Sequence, residues 1–389
     1  MKRRINLHTT ALLLAALAVR LLAWRTLPYR DWISDEAEYW GAATWLAQGR
    51  GFQFFDGWVW SRPPLYLGFL AAHIKLFGNT ALWAPRLSQA GLSVLAVWLV
   101  LLIGRRLAPA GRENLVGYAA AWAMALSYSF ATFAFLLLSE TMFLALFLGA
   151  ALALIRWGQR PEVPADAGGS WPGRLRRERL GLVALAGLLL GAAALTRAII
   201  LTWLPLAALW LLFQADRGAG PWRRSIRRRL LAGLLPAAIL TASVCAVVLP
   251  WTAYATARWG GGAGLILVDT TGGYNFAFAG LKSLPADNPE GLLDENDLHD
   301  RLCGGVECDA AQAARQSQAY GLGWGWIRQY PGGFARKTGR ELLDMLQLRY
   351  SGAERMRGGY TTGAVPAPHL LGLLEDDTLY MLALPLALL

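Results

Sequence analysis

The chain has 389 residues, of which 55% are hydrophobic and only 16% are charged, and its formal net charge is +11. Soluble domains carry about 25% charged residues, so this composition excludes an ordinary soluble domain. The basic residues cluster between apolar runs rather than forming one continuous face, which argues against a nucleic-acid partner. The apolar runs also lack the alternating polarity of barrel strands, so the sequence predicts an all-α polytopic membrane protein.

The first predicted element is a membrane span over Thr9–Leu27, which we expect to be retained because no small-residue cleavage site follows it. Lys2, Arg3 and Arg4 precede the span and predict a cytoplasmic N-terminus. Three later arginine clusters are expected on the same side. They are Arg105, Arg106 and Arg112; Arg156, Arg160, Arg174, Arg176, Arg177 and Arg179; and Arg217, Arg223, Arg224, Arg227, Arg228 and Arg229.

The first outer loop, residues 28–85, is predicted to contain two helices that lie on the membrane surface. The first covers Asp35–Gln48. The second, Pro63–Gly78, is apolar but only about 24 Å long. If it crossed the membrane, the first arginine cluster would lie outside, against the charge rule, so we predict the second span at Arg86–Leu107 instead.

Five further spans give a module of about seven over residues 1–254. They are Leu115–Tyr128, Ser139–Trp157, Leu180–Leu195, Ala198–Phe213 and Leu230–Tyr254. Residues 255–377 are rich in Gly, Asp and Asn and predict a small irregular extracytoplasmic domain. Residues 378–389 read as the start of a truncated eighth span, because a complete span needs about twenty residues. We therefore expect a fragment of a longer chain.

The three cysteines divide between the span and the outer domain. Cys245 is expected to be a small buried residue of the seventh span. Cys303 and Cys308 lie in CGGVEC, in an oxidising compartment, and predict a disulfide. Free thiols are the alternative, whereas two ligands are too few for a structural metal site.

Four polar features are expected at the outer face, where hairpin turns bring them towards one cavity: Ser34–Tyr39, Ser61–Pro64, Ser139–Glu140 and Thr196–Arg197. Each has a structural alternative. Asp35 is suited to stabilise a helix N-terminus, and Arg197 is suited to contact phospholipid headgroups. Glu140 is harder to explain that way, because a carboxylate beside an apolar span is costly unless it is paired or solvated.

Carboxylates and arginines at an outer membrane face suit sugar transfer from a lipid phosphate. The phosphate leaves as an anion, so the reaction needs a base for the acceptor hydroxyl and cations for the phosphate. Asp35 fits the base, and Arg62 and Arg197 fit a phosphate clamp. Three roles stay open for Glu140: orienting the acceptor, sharing a divalent metal with Asp35, or raising the pKa of Asp35.

Several stretches carry a family resemblance over about the first 280 residues. They are DEAEYWGAATWLAQG, RPPLYLGFLAAHIKLFG, APRLSQAGLSVLAVWLVLLIGRRL, LLSETMFLALFLGAALALIRW, GAAALTR, PWTAYATARWG and TGGYNFAFAG. The chain resembles the C-type (GT-C) glycosyltransferases that use polyprenyl-phosphate sugars, specifically the bacterial group related to protein O-mannosyltransferases and the lipid A aminoarabinose transferase. The spacing of Asp-Glu, Arg-Pro-Pro and Ser-Glu is specific only as a set.

The resemblance implies a GT-C module with two surface helices in its first outer loop. It assigns the family's acidic pair to Asp35 and Glu36, its phosphate-contacting basic residue to Arg62, and its later acidic position to Glu140. We add Tyr39 to the substrate-binding set. Family members usually continue for further spans, and this chain stops earlier. Acceptor contacts are the least specific assignment and comprise His299, Arg349, Tyr350 and His369.

These observations predict an inverting glycosyltransferase of the bacterial inner membrane with an extracytoplasmic active site. Its expected partners are a polyprenyl-phosphate sugar, an extracytoplasmic lipid, protein or glycan acceptor, and membrane lipids. A transporter of lipid-linked saccharides is the main alternative, and it predicts functional charges near the bilayer midplane. Arg20, inside the first span, is one such charge. A non-catalytic scaffold of the same fold is the third hypothesis.

Overall fold

The computed structural model describes residues 7–26, 32, 35–52, 62–159, 171–214, 222–260, 264–284, 295–304 and 313–345. This part of the chain is helical, and no strand occurs in it. It divides into two compact units. Among the described residues, unit 1 comprises those up to Ala47 and those from Leu65 to Pro250, and unit 2 comprises those within Gln48–Pro64 and Trp251–Val365. The predicted span 378–389 lies outside the described residues.

Within the described ranges, four helices are long and apolar enough to cross a membrane: α1 (Leu7–Thr26), α4 (Trp83–Leu107), α7 (Glu140–Gly158) and α10 (Trp222–Trp259). The bounds of α1, α4 and α7 lie within a few residues of predicted spans, and the apolar part of α10, Gly233–Trp259, overlaps the predicted span Leu230–Tyr254. All-helical architecture with several such helices is what an α-helical membrane protein requires, because the helix satisfies its own backbone in lipid. This coarse fold class is confirmed for the described residues.

The three other predicted spans correspond to shorter helices. They are α5 (Glu113–Leu126), the apolar part Arg179–Ala194 of α8 (Trp171–Ala194), and a 3₁₀ turn Ala198–Trp203 followed by α9 (Leu204–Gln214). The 14 residues of α5 reach about 21 Å, less than the roughly 30 Å of a hydrocarbon core. The count of seven spans therefore stays a prediction.

Helices also form at the two segments predicted to lie on the membrane surface, as α2 (Glu36–Ala47) and α3 (Pro64–Phe77). Pro64 is the first residue of α3, a position where its missing N–H costs nothing. Gly78 follows with a φ of 89°, and its N–H donates to Ile74 O at 2.8 Å, which ends the helix. Their placement at the membrane surface stays a prediction.

Small residues bring α4 and α5 together in unit 1. A Cβ added to Gly104 would lie 2.9 Å from Gly117 Cα, so the two backbones are in contact there. Close approach of this kind is typical of helix pairs in membranes. Leu12 and Ala16 of α1 join the same buried cluster, which includes Leu101 of α4.

Arg20 is fully buried where α1 meets α4 and α5. Its Nε donates to Ser93 Oγ at 2.9 Å and its Nη2 donates to Met124 O at 3.1 Å. Its Nη1 donates to Ala125 O and to Ala16 O. The last-turn carbonyls of α5 lack helical partners, and the helix dipole favours a cation there. Arg20 therefore satisfies the C-terminal end of a short helix within the protein.

Unit 2 contains the last four α-helices of the part of the chain that the structure describes: α11 (Gly272–Leu281), α12 (Glu295–Cys303), α13 (Gln316–Gln329) and α14 (Pro331–Met345). Its core includes Leu281, Leu298 and Trp326. The prediction of an irregular domain was wrong for these residues. Glycine content was misleading, because Gly280 and Gly323 lie at a close helix contact, where a Cβ on Gly280 would be 2.8 Å from Gly323 Cα.

Cys303, at the end of α12, is disulfide-bonded, whereas Cys245 is free. Cys308, the predicted disulfide partner of Cys303, lies outside the described residues. His299 Nε2 lies 3.6 Å from Cys303 Sγ. The other three proposed acceptor contacts, Arg349, Tyr350 and His369, also lie outside the described residues.

Candidate functional site

A short non-helical segment, residues 134–139, separates helix α6 (Tyr128–Phe133) from α7 and is buried in unit 1. Three of its backbone groups are bound by side chains. Arg86 Nε donates to Phe135 O at 3.1 Å, and Gln89 Nε2 donates to Leu136 O at 2.7 Å. Glu36 Oε1 accepts from Leu137 N–H at 2.7 Å. Buried backbone groups need such partners, so these side chains hold the segment in its irregular path.

Glu36 is the most buried of the predicted acidic residues, with 1% of its side chain exposed. Its Oε1 lies 3.9 Å from Arg86 Nη2 in addition to the Leu137 contact. A buried carboxylate needs pairing and hydrogen bonds of this kind. These contacts favour a structural role for Glu36, which the sequence placed among the catalytic residues.

Two tyrosines connect α2 and α3 to the same region. Tyr66 OH donates to Gln89 Oε1 at 2.8 Å, and burial raises the pKa of the Tyr66 phenol well above its ordinary value. The Tyr39 ring meets the Tyr66 ring edge-on, with centroids 5.1 Å apart. Tyr39 OH lies 3.4 Å from Ser139 Oγ. Tyr39, predicted to bind substrate, is thus a buried link between α2 and the start of α7.

Glu140 and Arg197 form an ion pair at the N-terminus of α7. Arg197 Nη1 contacts Glu140 Oε1 and also donates to Ser139 Oγ at 3.4 Å. About two-fifths of each charged side chain is exposed, at 40% for Arg197 and 39% for Glu140. The helix dipole favours a carboxylate here. Glu140 Oε2 is buried and has no hydrogen-bond partner among the described residues.

Asp35 lies one residue before α2 and is partly exposed. Its carbonyl accepts from Tyr39 N–H at 2.9 Å, so Asp35 begins the helical turn that carries Tyr39. Through Tyr39 and Ser139, this turn is connected to Glu140 and Arg197. The structure therefore brings together three of the four predicted polar features, while Ser34 lies outside the described residues.

The fourth feature, Arg62, belongs to unit 2 and is partly buried there. Its charge favours the ionised form of Asp269, a residue that the sequence analysis did not single out. Ser61 lies outside the described residues. The sequence analysis also did not assign Arg86, Gln89 and Tyr66 to the site. Arg86 and Gln89 could have been found from the sequence, because they share one face of an otherwise apolar helix with Ser93.

No group of three or more His, Cys, Asp or Glu side chains with metal-binding geometry occurs among the described residues. A metal shared by Asp35 and Glu140 would therefore depend on water or substrate for its other ligands.

Comparison with known proteins gives no match to this chain among protein-family models, curated proteins or solved structures.

Proposed function

We propose that the chain is an integral membrane glycosyltransferase of the C-type group that it resembles. It transfers a sugar from a polyprenyl-phosphate donor to an extracytoplasmic acceptor hydroxyl. The observation that carries the proposal is the Arg197–Glu140 ion pair, in which Glu140 Oε2 is buried and has no partner among the described residues. Native structures pair nearly all buried polar atoms, so this oxygen favours a ligand or an ordered water beside it.

In the proposed reaction the acceptor hydroxyl oxygen attacks the anomeric carbon. The bond from that carbon to the phosphate oxygen breaks, its electron pair leaves on the phosphate, and the hydroxyl proton passes to Asp35. Attack opposite the leaving group inverts the configuration. The phosphate needs no proton to leave, which matches a site with carboxylates and arginines.

Arg197 is the proposed cation for the charge that grows on the phosphate. Only its Nη1 has a partner among the described residues, which leaves Nε and Nη2 for a bidentate contact. Arg62 is the second proposed phosphate ligand. Glu140 holds Arg197 and orients the acceptor, and Glu36 fixes the backbone that leads to Ser139.

The contacts of Arg20 weaken the case for a transporter. Transport through the membrane predicts functional charges near the midplane. Arg20 is the charge of this kind in the first predicted span, and its donors contact three backbone carbonyls and one serine hydroxyl. These contacts account for its burial without a substrate.

The test is an assay of the full-length protein with labelled polyprenyl-phosphate sugars. Loss of a general base lowers the rate by about 10²–10⁴-fold, and we expect Asp35→Asn to fall in that range. Glu38→Gln is the matched control, because Glu38 is an acidic residue in the first turn of the same helix. We expect it to transfer sugar at nearly the wild-type rate.

Transfer undiminished in Asp35→Asn would exclude Asp35 as the base. Movement of the lipid-linked sugar across the bilayer without transfer would favour the transporter. Neither transfer nor movement in the wild-type protein would favour the scaffold.

A further inference from the structure

The helix α14 of unit 2 is exposed along most of its length. Its first turn is held against the rest of the unit, because a Cβ added to Gly333 would overlap Ser283 O. Every residue from Thr338 to Leu343 is exposed. A helix of 15 residues is only marginally stable in water without tertiary contacts. We therefore expect α14 to pack against a further surface.

The sequence of α14 gives the helix an apolar side and a basic side. At roughly 3.6 residues per turn, Phe334, Thr338 and Leu342 lie on one side of the helix. Arg336 and Arg340 lie on the opposite side. The Leu342 side chain is 52% exposed, so the apolar side is open beyond the first turns. This pattern, with arginines opposite Phe and Leu, is typical of helices that lie in the interface of a bilayer.

The charge of α13 and α14 is complementary to anionic lipid headgroups. Residues 316–345 include four basic and two acidic residues. One residue of each sign is already paired, because Lys337 Nζ lies 2.9 Å from Glu341 Oε2. α13 contains no acidic residue and has Arg328 in its last turn. The basic excess over these two helices favours a negatively charged partner.

Exposed aromatic rings on α13, the neighbour of α14, favour the same kind of partner. Tyr320 and Trp324 lie one turn apart and are 41% and 50% exposed. Phe276 of α11 packs against both rings, with centroids 5.5 Å and 5.1 Å away, and holds them in place. The Arg328 guanidinium lies 5.8 Å from the centroid of the Trp324 ring. Trp and Tyr are enriched at membrane–water interfaces, where an apolar ring with a polar tip fits both phases.

We propose that α14 docks in the interface of an anionic lipid bilayer, with Leu342 towards the acyl chains and Arg336 and Arg340 at the level of the headgroups. A bilayer is within reach of unit 2, because the chain enters this unit directly from the apolar part of α10, Gly233–Trp259. Docking of this kind requires neither sugar transfer nor a particular side of the membrane.

The experiment places spin labels on the full-length protein in nanodiscs of phosphatidylcholine, with or without phosphatidylglycerol. Cys245 is replaced by alanine, and one cysteine is introduced at Leu342 or at Arg340, which are exposed on opposite sides of α14. A nitroxide in lipid collides mainly with dissolved oxygen, whereas a nitroxide in water collides mainly with a soluble nickel chelate. We expect Leu342→Cys to report lipid and Arg340→Cys to report water.

A charge variant tests the role of the arginines. Each basic residue near an anionic surface changes the binding equilibrium by about fivefold. In the Leu342→Cys protein, Arg340→Gln should therefore lower the ratio of docked to free α14 by about fivefold, measured from the two components of the spectrum. Lys282→Gln is the matched control, because it removes one exposed basic charge from unit 2 outside α13 and α14. The ratio for this control should match that of the parent protein.

Three results would contradict the docking of α14. Preferential collision of the Leu342→Cys label with the nickel chelate in both lipid mixtures would overturn the proposal. Protection of this label from both reagents would overturn it as well, because the apolar side would then face another protein surface. An equal ratio of docked to free helix with and without phosphatidylglycerol would overturn the preference for anionic lipid.

Discussion

Asp35 and Glu36 are adjacent in the chain, yet their carboxylates have different surroundings. Glu36 is buried and holds the backbone of Leu137 beside Arg86, whereas Asp35 is partly exposed at the start of α2. The Glu36 carboxylate is buried against the backbone of Leu137, so an acceptor hydroxyl has no access to it. Exposure therefore favours Asp35 over Glu36 for the proposed role of the base.

Arg20 offers a test of stability at a single residue. Arg20→Met removes the donors to Met124 O and Ala125 O at the end of α5, and an orphaned buried group costs about 1–3 kcal/mol. We expect the free energy of unfolding to fall by about 2–5 kcal/mol, measured by denaturant titration in detergent. Arg25→Met is the control, because Arg25 is exposed on the same helix. Equal stability of the two variants would contradict this account.

The sequence was informative about some site residues and silent about others. Ser139, Glu140 and Arg197 were placed together by the expectation that hairpins turn at one membrane face, and the structure joins them directly. Asp269 carried no local signal, because Arg62, whose charge favours its ionised form, is distant in sequence and no pattern links them. Spacing reports neighbours on one helix, but not contacts between separate segments.

Helix boundaries were the structural feature that the sequence predicted best. The length of an apolar run and its flanking arginines limit where a span begins and ends. The span predicted at Arg86–Leu107 corresponds to the helix Trp83–Leu107, and the span predicted at Ser139–Trp157 corresponds to the helix Glu140–Gly158. The buried turn before α7 was not predicted. Its backbone depends on Glu36, Arg86 and Gln89, which belong to two other helices.

The contact between α4 and α5 gives a prediction for a pair of helices. Gly104→Ala places a Cβ 2.9 Å from Gly117 Cα, and the backbone there has no flexible side chain to move aside. Overpacking of this kind costs about 1–3 kcal/mol, so we expect the unfolding temperature to fall. Gly91→Ala serves as the control, because Gly91 lies on the same helix and nothing lies within 4 Å of the added Cβ. We expect its unfolding temperature to match that of the wild type. A larger drop in unfolding temperature for Gly91→Ala than for Gly104→Ala would contradict the packing argument.

For the whole molecule, the direction of every loop depends on whether α3 crosses the membrane. Two contacts bear on this. The Tyr66 ring, near the start of α3, meets Tyr39 of α2, and Thr44 Oγ1 of α2 donates to Asn79 Oδ1 just after α3 at 2.9 Å. A residue near the start of α3 and a residue just after its end are thus both in contact with one 12-residue helix, whose first turn carries two acidic residues. These two contacts favour an α3 whose ends lie at the same membrane face as α2.

Cysteine labelling distinguishes the two topologies. With Cys245 replaced by alanine, single cysteines are introduced at Gln48, Thr80 and Arg112, which are all exposed. If α3 lies on the surface and α4 crosses, an impermeant maleimide labels Gln48→Cys and Thr80→Cys in intact cells, and Arg112→Cys only after permeabilisation. If α3 crosses instead, Thr80→Cys becomes protected and Arg112→Cys becomes reactive. That second pattern would place the arginine cluster 105–112 outside and remove the basis for an extracytoplasmic Glu140.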